Sequence, residues 1–205
     1  RAAEQGHAPS QCNLGFCYLV GIGVEPDPEK AIPWFEKAAA QEFPRALDLL
    51  GDCCGEGRGL PQDKARAFQL YERAARQDYA PSVCSLGLCY ENGDGVEMDK
   101  ARAAELYRRA ADLGHPASMC NLGFCYLTGI GVEPDPAQAV PWLEKAAENG
   151  SSRALDLLGD CYSEGRGVAR DQVKGFHYYL EGAKQGYLPA QCDAGYCLLE
   201  GEGVE

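Results

Sequence analysis

A glycine recurs every 36 residues along this chain without one insertion or deletion: Gly15, Gly51, Gly87, Gly123, Gly159 and Gly195. A second pair follows each of them in register, from Gly21 and Gly23, then Gly57 and Gly59, through to Gly201 and Gly203. A fixed period of that length is the mark of a stacked repeat array. Such an array has no single central core, because each unit buries its apolar face against its neighbours and offers function on a surface. The whole of 1–205 therefore reads as one array with a partial repeat at either end. Arg1 to Gly6 reads as the close of one unit, and Gly203 to Glu205 stops before another helix would open. The expectation is a section of a longer solenoid, with any targeting signal outside it.

Within a unit, Ser118, Leu122, Cys125 and Tyr126 fall at i, i+4, i+7 and i+8, one stripe of a helix. Ser10, Leu14, Cys17 and Tyr18 repeat it. The ruler glycine lies inside this helix, where it costs about 1 kcal/mol relative to alanine. Its recurrence predicts a neighbouring helix too close for a side chain. The Gly-x-Gly pair ends the helix, where positive φ is accessible. The apolar residue after it (Val24, Leu60, Val96, Val132, Val168) is expected to pack inward. An aspartate then precedes a second apolar stripe in every unit: Asp27, Asp63, Asp99, Asp135 and Asp171. That placement predicts an N-cap. The second helix carries Ala31, Trp34, Phe35, Ala38 and Ala39, matched by Ala67, Leu70, Tyr71, Ala74 and Ala75. Pro33 and Pro141 imply that two of these helices start late or bend. The fold class that follows is all-α, a right-handed superhelical solenoid of antiparallel helix pairs.

The run from Leu122-Gly123 through Tyr126 to Gly129-Ile130-Gly131-Val132, followed by Asp135 and a closing Ala-Ala, closely resembles the Sel1-like repeat family. The same motif recurs around Leu14, Leu86 and Leu158, so the resemblance covers the whole chain. It implies an α/α solenoid related to tetratricopeptide arrays, no catalytic activity, no cofactor, and an adaptor role in protein complexes, including bacterial signalling and host-contact proteins. A cysteine-rich branch of the family ties the end of one repeat to the next helix through a cysteine about eight residues before the first-helix thiol. Glu4, Arg76 and Asp112 occupy that place here. The disulfides and secreted location of that branch are therefore not carried over, and a cytoplasmic location is expected.

Nineteen basic residues face 31 acidic ones, for a net charge of −12. The basic residues are scattered beside acids, whereas a nucleic-acid binder clusters them. Nucleic acid is excluded on that ground, and the same field favours a basic peptide or protein. No apolar run reaches the roughly 20 residues of a membrane span, so no membrane insertion is expected. Six of the eleven cysteines fall two residues after the ruler glycine and four fall three before it. The first set, Cys17 to Cys197, reads as small buried residues. The second set (Cys12, Cys84, Cys120, Cys192) is expected to face a groove. His7, His115 and His177 neighbour no repeated nucleophile, and no metal-ligand spacing is present, so neither a catalytic nor a metal site is expected.

Positions that break the period are free to serve a partner. The opposite stripe of the first helix does so: Cys12, Phe16, Leu19 and Val20 in one unit, Asp48, Asp52, Gly55 and Glu56 in the next. Apolar and acidic versions of one position are not expected to share a core, so the stripe is assigned to the concave groove. Residues 11–59 and 119–167 match at 36 of 49 positions, a shift of 108. This duplicates the stripe in Phe124 and Leu127, then Asp156 and Asp160. Leu88 and Tyr196 occupy the Phe16 position in two further units. The expected groove is therefore Phe16, Leu19, Val20, Asp48, Asp52, Glu56, Leu88, Phe124, Leu127, Asp156, Asp160 and Tyr196, with Phe16, Leu19, Phe124 and Leu127 accessible to solvent. The function expected is a protein-interaction scaffold. Its rivals are a cysteine-based redox or metal-binding protein and a passive spacer in a larger one.

Overall fold

The computed structural model describes residues 1–204, all of whose regular structure is helical. The first helices of the units are α1 (Ala8–Val20), α3 (Pro44–Glu56), α5 (Ala80–Asn92), α7 (Pro116–Thr128), α9 (Ser152–Glu164) and α11 (Leu188–Glu200). The second helices are α2 (Pro28–Ala39), α4 (Lys64–Ala75), α6 (Lys100–Asp112), α8 (Pro136–Glu148) and α10 (Gln172–Lys184). Most first helices open on a proline in their first two positions, where its missing N–H costs nothing. Each ends on the first glycine of the Gly-x-Gly pair. Gly57, at φ 74°, donates its N–H to the Cys53 carbonyl, which also takes the N–H of Arg58 at 2.9 Å.

The period-keeping aspartate makes two bonds. Its backbone N–H returns to the first helix, as in Asp63 to the Cys54 carbonyl at 2.8 Å. Its side chain caps the second helix, accepting from Lys30, Arg66, Arg102, Gln138 and Lys174 N–H at 2.9–3.1 Å. One residue thus sets both the turn and the start of the next element.

Four of the ruler glycines, Gly15, Gly51, Gly123 and Gly159, sit where the second helix presses closest. A Cβ on Gly15 would stand 2.7 Å from the Phe35 ring, one on Gly51 2.5 Å from the Tyr71 ring, and one on Gly123 2.7 Å from Leu143; Tyr179 covers Gly159 in the same way. Gly55 faces Ala67 while Gly51 faces Tyr71, so the two helices run antiparallel. Phe35, Leu143 and the buried alanines between them complete each interface. Pro33 and Pro141 lie inside α2 and α8 with exposed rings, and the late start is excluded because those helices begin at Pro28 and Pro136.

The second glycine of each pair has a different reason. A Cβ on Gly59 would stand 2.5 Å from the Pro28 carbonyl at the start of α2, and Gly95, Gly167 and Gly203 lie as tightly on the starts of α4, α8 and α10. Gly23, with no earlier second helix to rest on, meets nothing within 4 Å. Val24 shares that position and is exposed, contrary to the inward packing expected of it, while Leu60, Val96, Val132 and Val168 are half-buried.

The chain forms two compact units, Arg1–Leu106 and Tyr107–Glu205, with the division inside α6. In the first, α1 to α4 each pack on the helix that follows. In the second, α7 to α10 do likewise, and α9 also touches α7 and α11. Each unit is a stack of helix pairs, a solenoid architecture with its core along the seam of glycines and alanines.

Candidate partner-binding site

The expected groove stripe lies on the side where consecutive first helices meet, and this decides the depth of each residue. Val20, Glu56, Leu88 and Tyr196 are exposed. Phe16 and Phe124 are half-buried beneath guanidinium groups: Arg45 lies 5.2 Å from the Phe16 ring and Arg153 4.9 Å from the Phe124 ring. Each arginine is held by the asparagine three residues before the phenylalanine, Asn13 or Asn121, at 3.1 Å. Leu19 and Leu127 are 7% and 6% exposed, so the row of four accessible apolar side chains is corrected. The turn that follows the next first helix reaches that edge: Arg166, just past the end of α9, donates to the Leu127 carbonyl at 2.9 Å. Cys12, Cys84 and Cys120 are buried as well, and only Cys192 of the expected groove thiols is exposed.

Asp48 and Asp156 are also buried, against expectation. An apolar and an acidic residue do share this core position, because the acid is supplied with a partner or a proton. Asp48 accepts from Ser82 Oγ at 2.6 Å, and burial lifts its pKa to about 6 despite that bond. In the second unit Ala190 stands where Ser82 would be. Asp156 pairs instead with the Asp193 carboxyl, and its Oδ1 has no hydrogen-bond partner. Burial, then Asp160 and Asp193, lift its pKa to about 7.

The remaining stripe residues line two pockets built to one plan. In the first unit a pocket of about 280 Å³ opens between α3 and α5, walled by Asp52, Glu56, Tyr71, Leu88 and Asp94 with Lys64 at its side. In the second a pocket of about 480 Å³ opens between α9 and α11, walled by Asp160, Glu164, Tyr179, Tyr196 and Glu202 with Gln172 at its side. Each residue of the second list lies 108 after its counterpart in the first. The floor is an acid–tyrosine pair: Tyr71 OH donates to Asp52 and Tyr179 OH to Asp160, both at 2.8 Å. Burial and the neighbouring carboxylate raise both phenol pKa values, so both tyrosines stay protonated and keep donating. Burial also raises the Asp52 pKa, against the bond from Tyr71. The rim is apolar and open, with Leu88 43% and Tyr196 58% exposed.

Tyr71 was expected only as core, and Tyr179, Lys64, Ser85, Asp94, Asp193 and Glu202 were missed. The 108-residue shift was the available signal, because it pairs pocket walls as well as stripe residues. Phe16, Val20 and Phe124 line neither pocket. Among the described residues no group of three His, Cys, Asp or Glu side chains converges as a metal site. His7 and His115 contact Ser10 and Ser118 at helix starts. The arrangement is an acidic floor, a phenol and an apolar rim, made twice.

The repeat itself is recognised along nearly the full length. The Sel1 repeat model matches residues 8–43, 44–79, 80–115, 116–151, 152–187 and 188–205. A Sel1 repeat protein from Oxalobacter formigenes is 31% identical, with a TM-score of 0.89 over 98% of this chain and 80% of that one. The protein c5321, a protective antigen of uropathogenic Escherichia coli strains displaying an SLR fold, is 37% identical with a TM-score of 0.87. That match takes in 98% of this chain but 43% of c5321, so this chain spans less than half its length. The Helicobacter pylori cysteine rich protein B is 29% identical at a TM-score of 0.51, over 60% of this chain and 93% of its own. No curated protein matches this chain in sequence. With six matched repeats spaced by the glycine ruler and capped by its aspartates, the chain belongs to the Sel1 repeat family.

Proposed function

We propose that this chain is a non-catalytic adaptor that binds a basic peptide or protein segment in the groove its first helices line within each unit. The Sel1 repeat is generally a scaffold for protein–protein interaction. The observation that carries the finer reading is the pocket made twice, with an acid–tyrosine floor and an exposed Leu88 or Tyr196 at its rim. Aromatic anchors beside desolvated polar groups carry most of the energy in such interfaces. The net charge of −12 would speed the approach of a cationic partner. Solvent-excluded thiols such as Cys12, Cys53, Cys54 and Cys161 support work in a reducing compartment, with a cytoplasmic location as the proposal.

The test is fluorescence anisotropy with a labelled peptide of alternating lysine and leucine, against the same peptide with glutamine for lysine. The lysine peptide should bind more tightly, lose affinity with salt, and weaken about 5- to 150-fold on Leu88→Ala or Tyr196→Ala, the loss of about 1–3 kcal/mol usual for an anchor. Equal binding of the two peptides, or indifference to both rim variants, refutes the reading.

A further inference from the structure

The two pockets differ in one respect that bears on what each can hold. In the first unit Lys64 projects into the pocket from the start of α4, its Nζ 2.7 Å from Asp94 Oδ1. The chain thus supplies its own ammonium group beside Asp52 and Glu56. In the second unit the matching residue is Gln172, which carries no charge. The matching acid is kept as Glu202, and Ser85 gives way to Asp193. Four carboxylates (Asp160, Glu164, Asp193, Glu202) therefore line a pocket without its lysine, where three line the pocket that has one.

One cation does line the second pocket: Arg170, where the first unit has Gln62, with its Nε donating to the Ser163 carbonyl at 2.9 Å, so four carboxylates face one guanidinium there and three face one ammonium in the first. Arg166 holds the Leu127 carbonyl and stands 3.8 Å from Glu164. Behind the wall, Asp156 is nine-tenths buried, keeps one oxygen without a partner and is joined to the pocket through Asp193. The carboxylates do not converge as a metal site among the described residues, and Tyr196 offers a flat apolar wall suited to an alkyl stem or a cation–π contact. The larger volume, about 480 against 280 Å³, leaves room for such a stem.

We infer that the pocket between α9 and α11 takes a lysine side chain of the partner, and that its counterpart between α3 and α5 is closed to that ligand by the chain's own Lys64. This inference rests on the adaptor reading above and assigns its basic anchor to one of the two pockets. Lysine is preferred to arginine because the ammonium of Lys64 already sits among the corresponding carboxylates of the first pocket.

The experiment is a two-dimensional NMR titration of the isotope-labelled chain with Nα-acetyl-lysine amide. Shifts are expected around Asp160, Asp193 and Tyr196 and not around Asp52 and Leu88. Gln172→Lys should weaken this binding at least tenfold, whereas Gln185→Lys, the same charge at the opposite end of α10, should change it less than twofold. Lys64→Gln should create a second site that shifts Asp52 and Leu88. Both positions stand at the solvent-facing start of a helix, and unchanged shifts elsewhere verify the fold. Absence of shifts at the second pocket, equal losses in the two lysine variants, no new site in Lys64→Gln, or tighter binding of Nα-acetyl-arginine amide would each overturn the inference. If the lysine–leucine peptide still binds and depends on the rim residues while any of these occurs, the inference falls and the adaptor reading stands.

Discussion

The ruler glycines allow one substitution to be tried in two settings with opposite expected signs. At Gly51 an added methyl would stand 2.5 Å from Tyr71 Cε1, 2.9 Å from Cδ1 and 3.0 Å from Cζ. Carbon atoms rest at about 3.5–4.0 Å, so the ring would have to retreat by about 1 Å. It is not free to do so, because its hydroxyl is tied to Asp52. Overpacking of this kind costs about 1–3 kcal/mol, and straining a hydrogen bond to a charged group adds about 1 kcal/mol more. The gain in helix propensity from Gly to Ala returns about 1 kcal/mol. Gly51→Ala is therefore expected to lose about 1–3 kcal/mol. At Gly195 the same methyl meets nothing within 4 Å, so only the propensity gain remains and Gly195→Ala should be stabilising by about 0.5–1 kcal/mol. Urea unfolding followed by far-ultraviolet circular dichroism gives the overall midpoints. Amide hydrogen exchange in α4 and α11 reads each site locally, which matters in an array whose repeats open separately. A Gly51→Ala protein as stable as the parent, or a destabilised Gly195→Ala, would refute close approach as the reason for the period.

Asp156 is held protonated in the folded chain up to about pH 7, whereas an unfolded aspartate ionises near 3.9. The native state then binds more protons between these values, so stability should fall as pH rises from about 4 to about 7 and level off above; Asp156→Asn should flatten that slope in urea midpoints, and an unaltered slope would count against the buried carboxyl pair. Cys192 is exposed, whereas burial pushes the thiols of Cys53, Cys89 and Cys161 up to about 11, so native-state alkylation read by peptide mass should modify Cys192 well before those three.

The helical pairs, caps and turns were legible because each rests on a local rule: a glycine under a large ring, an aspartate before a helix, a positive φ after one. The side that carries the pockets was legible too, since departures from the period concentrate there. Depth was not. Cys12 and Asp48 occupy one buried position, and the difference is absorbed by a residue 34 positions further on, where Ser82 meets Asp48. Asp156 is absorbed otherwise, by Asp193. Such exchanges pair residues from successive repeats and cannot be read from one helix at a time. Tyr71 and Tyr179 escaped as pocket floors because each spans two roles, its ring packed on a glycine and its hydroxyl turned to an acid of the pocket.

The turn that leans on the preceding helix start also limits how such a chain can change over generations. Surface loops are where most proteins absorb added or deleted residues. Here the loop around Gly59 is seated on the Pro28 carbonyl, and those at Gly95, Gly167 and Gly203 are seated likewise. One residue more or less would unseat the turn and move the aspartate that opens the next helix. Length change by whole multiples of the 36-residue unit leaves those seats intact, and the 108-residue echo is three such units. New specificity in this architecture would then come from copying a block intact and altering single side chains in one copy, as Lys64 and Gln172 now differ.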